Sequence, residues 1–208
     1  MKKRILGWVI VAILMVAIPF AWATRIDDPM TFTKPITTDV GQPDSHGAGA
    51  LGTAFSPRVF QRTFNDHIIT TIHVDITGLA CKGDAANDVI GLAAGGAAYL
   101  CQYTTASFGV VYRVEVICLE TPGQGTATIT TDIDLAGNSS GTLEYDGAAG
   151  EAECNLGGVA AGNSYVVDAP GLTADDYIYL VEGDTAATTG VYNAGQLIII
   201  FYGHPVLS

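Results

Sequence analysis

Alternation of apolar and polar residues is the feature that most constrains how this chain can fold. The stretch TATITTDIDLAGNSSGTLEYDG, residues 126–147, places Ile133 and Leu135 on one face of an extended strand and Asp132 and Asp134 on the other. Successive side chains of a strand point to opposite faces, so a period of two indicates a half-buried strand. We therefore expect the apolar face to pack in a core and the aspartate face to meet water.

The same period recurs along most of the chain. Clusters of Gly, Asn, Asp and Thr separate the stretches HIITTIHVDITG, AAYLCQY, GVVYRVEVICLE, GTLEYDG, NSYVVDA, DDYIYLVEGD and AGQLIIIFYGH. Because no amphipathic helix lies between them, the pattern predicts an all-β fold, an antiparallel, jelly-roll-like β-sandwich of about eight strands. We assign this domain to residues 59–208.

Two of these stretches allow a more specific prediction. In GVVYRVEVICLE, alternation places Val110 and Tyr112 on the buried face together with Val114, Val116 and Cys118. Residues 197–202 are apolar at every position. A strand that is apolar on both faces is expected to be central in its sheet or to be covered by a neighbouring subunit.

The first residues are typical of an export signal or a membrane anchor. Basic residues at positions 2–4 precede an uncharged stretch over residues 5–23, which is long enough to cross a bilayer as a hydrophobic helix. Small residues at Ala21 and Ala23 occupy the positions that a signal peptidase reads. Residues 1–23 are therefore predicted to be either a signal peptide, cleaved before Thr24, or an uncleaved anchor.

A segment without sustained periodicity follows the apolar stretch. Residues 24–58 contain Pro29, Pro35, Pro43 and Pro57 and the Gly-rich run GQPDSHGAGALG. Proline and glycine in this density interrupt regular structure, so the segment is predicted to be a flexible linker or arm.

The charge of the chain argues against one class of partner. The sequence has 21 acidic residues against nine Lys and Arg, giving a formal net charge of −12. From Phe64 onward, the only Lys and Arg are Lys82 and Arg113. Binding to nucleic acid depends on cations that neutralise phosphates, so no nucleic-acid partner is expected.

The four cysteines do not form a recognisable metal or redox motif. Cys81, Cys101, Cys118 and Cys154 include no C-x-x-C pair, which excludes a zinc knuckle or a thioredoxin-type motif on spacing. Export would permit disulfides, and the sequence leaves their pairing open. Buried free thiols are the alternative.

GNSSG, at residues 137–141, matches the G-x-S-x-G pattern of hydrolase nucleophiles. That motif requires a helix directly after the serine, whereas GTLEYDG continues in β-like alternation. We therefore interpret GNSSG as a turn and assign no catalytic residue.

Two acidic pairs are weak candidates for a calcium site. Asp175 with Asp176, and Glu182 with Asp184, could supply the oxygen ligands that calcium prefers. A solvated acidic loop explains the same residues, and no cofactor is otherwise expected.

Histidines and tyrosines offer two further possibilities. His67 and His73 share one strand face but have no evident third ligand, so we expect surface residues rather than a metal site. Tyr177, Tyr179 and Tyr192 could form a sugar-binding platform, although aromatic residues more often pack.

Several longer segments resemble a group of known proteins. They include VICLETPGQG at 116–125 and YIYLVEGDTAATTGVY at 177–192, followed by GQ and FYGH near the end. Over about residues 62–204 the chain resembles β-rich virion structural proteins, of the capsid-decoration or fibre type, from marine tailed bacteriophages. This resemblance implies a protein without an active site. The chain departs from that group at its front, where it adds the apparent export or membrane segment.

Two functional hypotheses follow. The first is a non-enzymatic structural protein that packs against copies of itself or against a capsid or fibre partner, located in a virion. The second is an exported or membrane-tethered surface module, held by residues 5–23 if they are not cleaved, that binds a glycan or a protein with possible help from calcium.

Overall fold

A computed structural model describes residues 58–206 except for short gaps. The gaps are residues 65–66, 83–84, 124–129, 151–152 and 184–188, and for 58–64 the backbone alone is described. All described residues belong to one compact unit, Ile36–Ser208. The predicted leader and nearly all of the predicted linker lie outside the described residues. Among the described residues, no helix is both long and apolar enough to span a membrane.

The described residues confirm the all-β prediction. They form ten strands, three of them only two residues long, and one helix of a single turn. The elements are β1 (Arg58–Phe64), β2 (His67–Asp75), β3 (Ala80–Cys81), β4 (Cys101–Gln102), α1 (Thr105–Phe108), β5 (Val110–Gly123), β6 (Ile133–Asn138), β7 (Ser164–Asp168), β8 (Tyr177–Glu182), β9 (Gly190–Val191) and β10 (Ala194–His204). All strand pairs are antiparallel.

The strand order is that of a jelly roll. One sheet has the order β1-β2-β10-β5-β7, a second has β4-β8-β6, and β3 pairs with β9. Early strands thus pair with late strands in reverse order: β2 with β10, β4 with β8, and β5 with β7. An isolated bridge between Leu135 and Cys154 continues the second sheet beyond β6. This nested pairing produces the two facing sheets of a jelly-roll sandwich.

One core lies between the sheets. It combines inward residues of the five-stranded sheet with residues of β4, β6 and β8. The prediction for residues 197–202 is confirmed in its first form, because β10 lies between β2 and β5. Leu197, Ile199 and Phe201 of this central strand are buried.

The two sheets are covered to different extents. Ile133 to Ala136 in β6 and Ile178 to Glu182 in β8 are buried without alternation, so both faces of these strands are covered. In β10, by contrast, buried residues alternate with half-buried ones. The sandwich is therefore one-sided: its five-stranded sheet has a buried inner face and an outer face that is only half-buried.

The prediction for the aspartate face of β6 is wrong. Ile133 and Leu135 are buried as expected, but Asp134 is fully buried as well, and Asp132 is half-buried. The backbone N–H of Leu156 donates a 2.6 Å hydrogen bond to Oδ1 of Asp134. The segment that contains Leu156 covers this face, a contact that alternation within β6 cannot reveal.

The prediction for the start of β5 is also wrong. Val110 is 53% exposed and Tyr112 is half-buried, whereas Val111 is buried. The register between β5 and β10 shifts between Tyr202 and Gly203. Tyr112 is the extra residue of a β-bulge, which inverts the alternation upstream of it.

Candidate functional surface

The residues considered as calcium ligands lie at opposite ends of β8. Asp175 and Asp176 precede the strand, and burial together with the Asp175 carboxylate raises the pKa of Asp176. Glu182 ends the strand and is fully buried, while Asp184 lies outside the described residues. Strand residues rise about 3.3 Å each, so the two ends are roughly 20 Å apart. In the described part of the chain, no three or more His, Cys, Asp or Glu residues form a group that could hold a metal ion.

All four cysteines are buried free thiols. Burial raises the pKa of Cys101 and of Cys154 to about 12. Burial, and after it the Glu182 carboxylate, raises the pKa of Cys81 to about 11. The nucleophile in cysteine chemistry is the thiolate, so thiols that stay protonated at neutral pH are suited to packing rather than to catalysis.

Buried polar side chains lie around Cys81. The Tyr192 hydroxyl donates a 3.1 Å hydrogen bond to the Thr130 carbonyl oxygen. Burial is the main cause that raises the pKa of Tyr192, and Cys81 and Glu182 add to it. These contacts link β3, β8, the segment after β9 and the segment before β6. The side chains of Cys81, Glu182 and Tyr192 are buried, so they do not lie on a surface that a substrate could reach.

The GNSSG segment forms a turn, as its sequence predicts. Asn138 ends β6, and its Oδ1 accepts a 2.8 Å hydrogen bond from the backbone N–H of Ser140. A Cβ atom at Gly141 would approach the Tyr177 ring to 2.6 Å. Asn138 and Gly141 therefore have structural reasons to be in the motif. Ser139 is exposed in this turn.

The three tyrosines considered as a sugar platform do not form one. Tyr179 and Tyr192 are fully buried. Tyr177 is half-buried, and its ring lies edge-on to Tyr99 with the centroids 4.8 Å apart. These tyrosines pack inside the fold or against another ring, as the alternative interpretation predicts.

An aromatic cluster that the sequence analysis did not predict lies at one end of the five-stranded sheet. The ring of His204 stacks on Tyr112 with the centroids 4.5 Å apart, and it lies 4.7 Å from the ring of His67. The Tyr112 hydroxyl lies 3.4 Å from Nδ1 of His67. The bulge places Tyr112 in this cluster. The alternation of the sequence predicts a regular strand here and does not indicate a bulge.

The outer face of the five-stranded sheet carries apolar residues interspersed with polar ones, such as Thr71 and Glu115 on either side of Ile200. Ile198 and Ile200 of the central strand are half-buried there, with Ile117 of β5 beside Ile198 and Ile69 of β2 beside Tyr202. Ile69 and Ile117 are half-buried too. We call Ile69, Ile117, Ile198, Ile200 and Tyr202 the outer apolar band.

Strand β7 forms one edge of this sheet. Ser164, Val166 and Asp168 are exposed, and Val166 retains 51% of its accessible surface. Nε of Arg113, on neighbouring β5, donates a 2.7 Å hydrogen bond to Oδ1 of Asp168. The edge strand therefore presents an apolar centre and one carboxylate that is already ion-paired.

Comparison of the chain with protein-family models, curated proteins and solved structures found no match.

Proposed function

We propose that this chain is a non-enzymatic structural subunit that packs against copies of itself or against a capsid or fibre partner, as decoration and fibre proteins of virions do. The observation that carries the proposal is the one-sided sandwich. Exposure of apolar surface costs about 25 cal/mol per Å² relative to its burial. Monomeric proteins seldom leave large apolar patches uncovered, and such patches typically mark interfaces.

The position of the band strengthens this interpretation. Ile198 and Ile200 lie on β10, which is the central strand of the sheet, so the band occupies the middle of the face. A band of apolar side chains across the middle of a sheet is suited to contact with another protein surface. The arrangement offers less to a small ligand, which usually binds in a concave pocket.

The fold class is compatible with the proposal without deciding it. Jelly rolls occur in viral capsid proteins and in lectins alike, so the function has to be argued from the surface. The Tyr177, Tyr179 and Tyr192 rings, which could have favoured a lectin, are occupied in packing.

The test is the oligomeric state of the purified full chain, measured by sedimentation velocity in a nonionic detergent that keeps residues 5–23 from associating. We expect discrete oligomers that do not depend on calcium. The double variant Ile198→Lys with Ile200→Lys should associate at least about tenfold more weakly, since a charge in an apolar contact must be desolvated. The matched control is Val206→Lys, a change at a residue 60% exposed near the end of the chain.

Two results would count against the proposal. One is a wild-type chain that stays monomeric at all concentrations. The other is a monomer whose melting temperature rises with added calcium, which would favour the surface binding module instead.

A further inference from the structure

We infer that β7 is a docking edge at which two copies of the chain pair antiparallel about a two-fold axis at Val166, joining their five-stranded sheets. The inference rests on the proposed function, because it specifies how a self-associating subunit would make one of its contacts.

The backbone of β7 points alternate groups away from its sheet. The Ala169 N–H donates to the Tyr112 carbonyl oxygen at 2.8 Å, and the Asn163 carbonyl accepts from the Cys118 N–H at 3.0 Å. Odd-numbered residues of this segment therefore direct their N–H and C=O groups toward β5. Those of Ser164, Val166 and Asp168 point outward, and among the described strands none pairs with that side of β7. A row of such groups is a template for another strand.

The side chains of β7 fit a second copy in one register. A two-fold axis at Val166 places each valine opposite its counterpart and each Ser164 opposite the Asp168 of the other copy. Ser164, Val166 and Asp168 all direct their backbone N–H and C=O groups away from β5. Each of the three opposed pairs can therefore exchange two hydrogen bonds, which gives about six in this register. It also keeps the two Asp168 carboxylates at opposite ends of the ladder, whereas a register centred on Asp168 would oppose like charges directly.

Charge also favours this edge for an acidic protein. From Phe64 onward the sequence has only two Lys and Arg, and one of them, Arg113, lies beside β7 on the adjacent strand. Its exposed ion pair with Asp168 offsets part of the one negative charge of β7. β7 itself thus has neither an unpaired charge nor a proline, the features with which proteins commonly protect exposed strands. The nearest carboxylate on the adjacent strand, that of Glu115 opposite Val166, accepts a 2.7 Å hydrogen bond from the Ser164 hydroxyl.

The opposite edge of the sheet differs in this respect. β1 has Arg58 and Arg62 within its seven residues. β7 has no Lys, Arg or Pro, and Pro170 follows only after Ala169, whose φ of 50° ends the extended conformation. The sheet therefore has one edge strand with two arginines and one, β7, whose single charged residue is already ion-paired.

The contact is short, and this determines how it should be measured. A five-residue ladder is small against the roughly 1,000 Å² that stable interfaces bury, so the pair should exchange in dilute solution and persist where copies are concentrated. A covalent trap is therefore the best probe. Directly opposed residues in a hydrogen-bonded pair have Cα atoms about 5.5 Å apart, within the range that a disulfide bridges.

The experiment uses the full chain with Val166→Cys, oxidised in nonionic detergent, and scores the disulfide-linked dimer on non-reducing gels. The matched control is Val191→Cys, because Val191 is also an exposed strand residue, at 46%, but lies in β9, which pairs with β3 in a different sheet. The four native cysteines are buried and should contribute little. We expect efficient cross-linking of the Val166→Cys variant alone.

A second pair of variants tests the same edge without covalent chemistry. Val166→Lys should weaken association of the full chain at least about tenfold, while Val191→Lys should leave it unchanged. An added lysine lowers the net negative charge of this acidic chain, so general repulsion between copies cannot explain weakening at Val166 alone.

The outcomes separate this inference from the proposed function. A wild-type chain that associates while Val166→Cys cross-links no better than Val191→Cys would overturn the β7 contact and leave the structural role intact. A chain that neither associates nor cross-links would overturn both.

Discussion

Single buried side chains influence the stability of this protein, because several of them can ionise. Burial raises the pKa of Cys101 and of Cys154 from the ordinary value of 9.0 to about 12, so both thiols stay protonated well above neutral pH. At Asp134, the Leu156 N–H supplies a hydrogen bond that partly replaces water at a fully buried carboxylate. The two thiols are compatible with burial only in their protonated form, so the core is sensitive to alkaline pH.

Alkaline pH should therefore destabilise the fold. Below pH 9.0, the ordinary pKa of a thiol, each of these thiols is protonated in both the folded and the unfolded chain, so the free energy of unfolding does not depend on them. As the pH rises toward 12, unfolded thiols ionise and folded ones do not, so the free energy of unfolding falls by up to about 1.4 kcal/mol per pH unit for each thiol. Urea unfolding between about pH 8 and about pH 11 measures this slope.

The variant Cys101→Ala is the control for this slope. It should lower stability at every pH, because it empties a core position, but it should make the alkaline decline shallower. An unchanged slope would mean that Cys101 ionises as readily in the fold as outside it.

At the scale of the elements, the close approach of α1 to β10 depends on a glycine. A Cβ atom on Gly203 would overlap the carbonyl oxygen of Phe108, the last residue of α1. Gly203 also adjoins the position at which the β5 register shifts. The backbone of the helix end occupies the space that a side chain would need.

Gly203→Ala is accordingly expected to destabilise the protein by about 1–3 kcal/mol, since backbone atoms rather than a flexible side chain must move. Thermal or urea unfolding measures the loss. Gly123→Ala is the matched control in the same sheet, because the nearest atoms to its added Cβ are 3.8 Å away. Equal stabilities of the two variants would contradict the predicted overlap.

Local alternation was enough to predict most strands but not their surroundings, and the strand predicted for GTLEYDG is wrong, because residues 141–147 form turns. NSYVVDA and AGQLIIIFYGH each became a strand because the pattern of each lies within a few consecutive residues. The burial of Asp134 depends on Leu156, and the contact of His67 with His204 depends on the pairing of β2 with β10. Such contacts join distant parts of the chain, so no local period encodes them.

The same limit applies to the candidate surface. The apolar run at 197–202 predicted a central strand, which β10 is, and it left open whether a neighbouring subunit covers the other face. That β7 is an edge follows from the sheet order, and the ion pair of Arg113 with Asp168 depends on the register of β5 with β7. Sequence predicted the parts of the proposed interface and could not predict their placement.

For the whole molecule, the formal net charge of −12 opposes any assembly of identical copies. We therefore predict that association strengthens when salt is raised from about 0.01 M to about 0.5 M, because the Debye length falls from about 30 Å to only a few ångströms. Sedimentation velocity across this range tests the prediction. Oligomers that dissociate as salt rises would indicate an interface held by ion pairs instead of the outer apolar band.

The nested order of the strands also has a consequence for the timing of folding. β2 pairs with β10, so the five-stranded sheet cannot close until residues 194–204 have been synthesised. Folds built from such distant pairings form slowly, because the chain must close long loops before it gains stabilising contacts. The emerging chain therefore stays without its central sheet until β10 has been made, a period in which its apolar strands are exposed to aggregation.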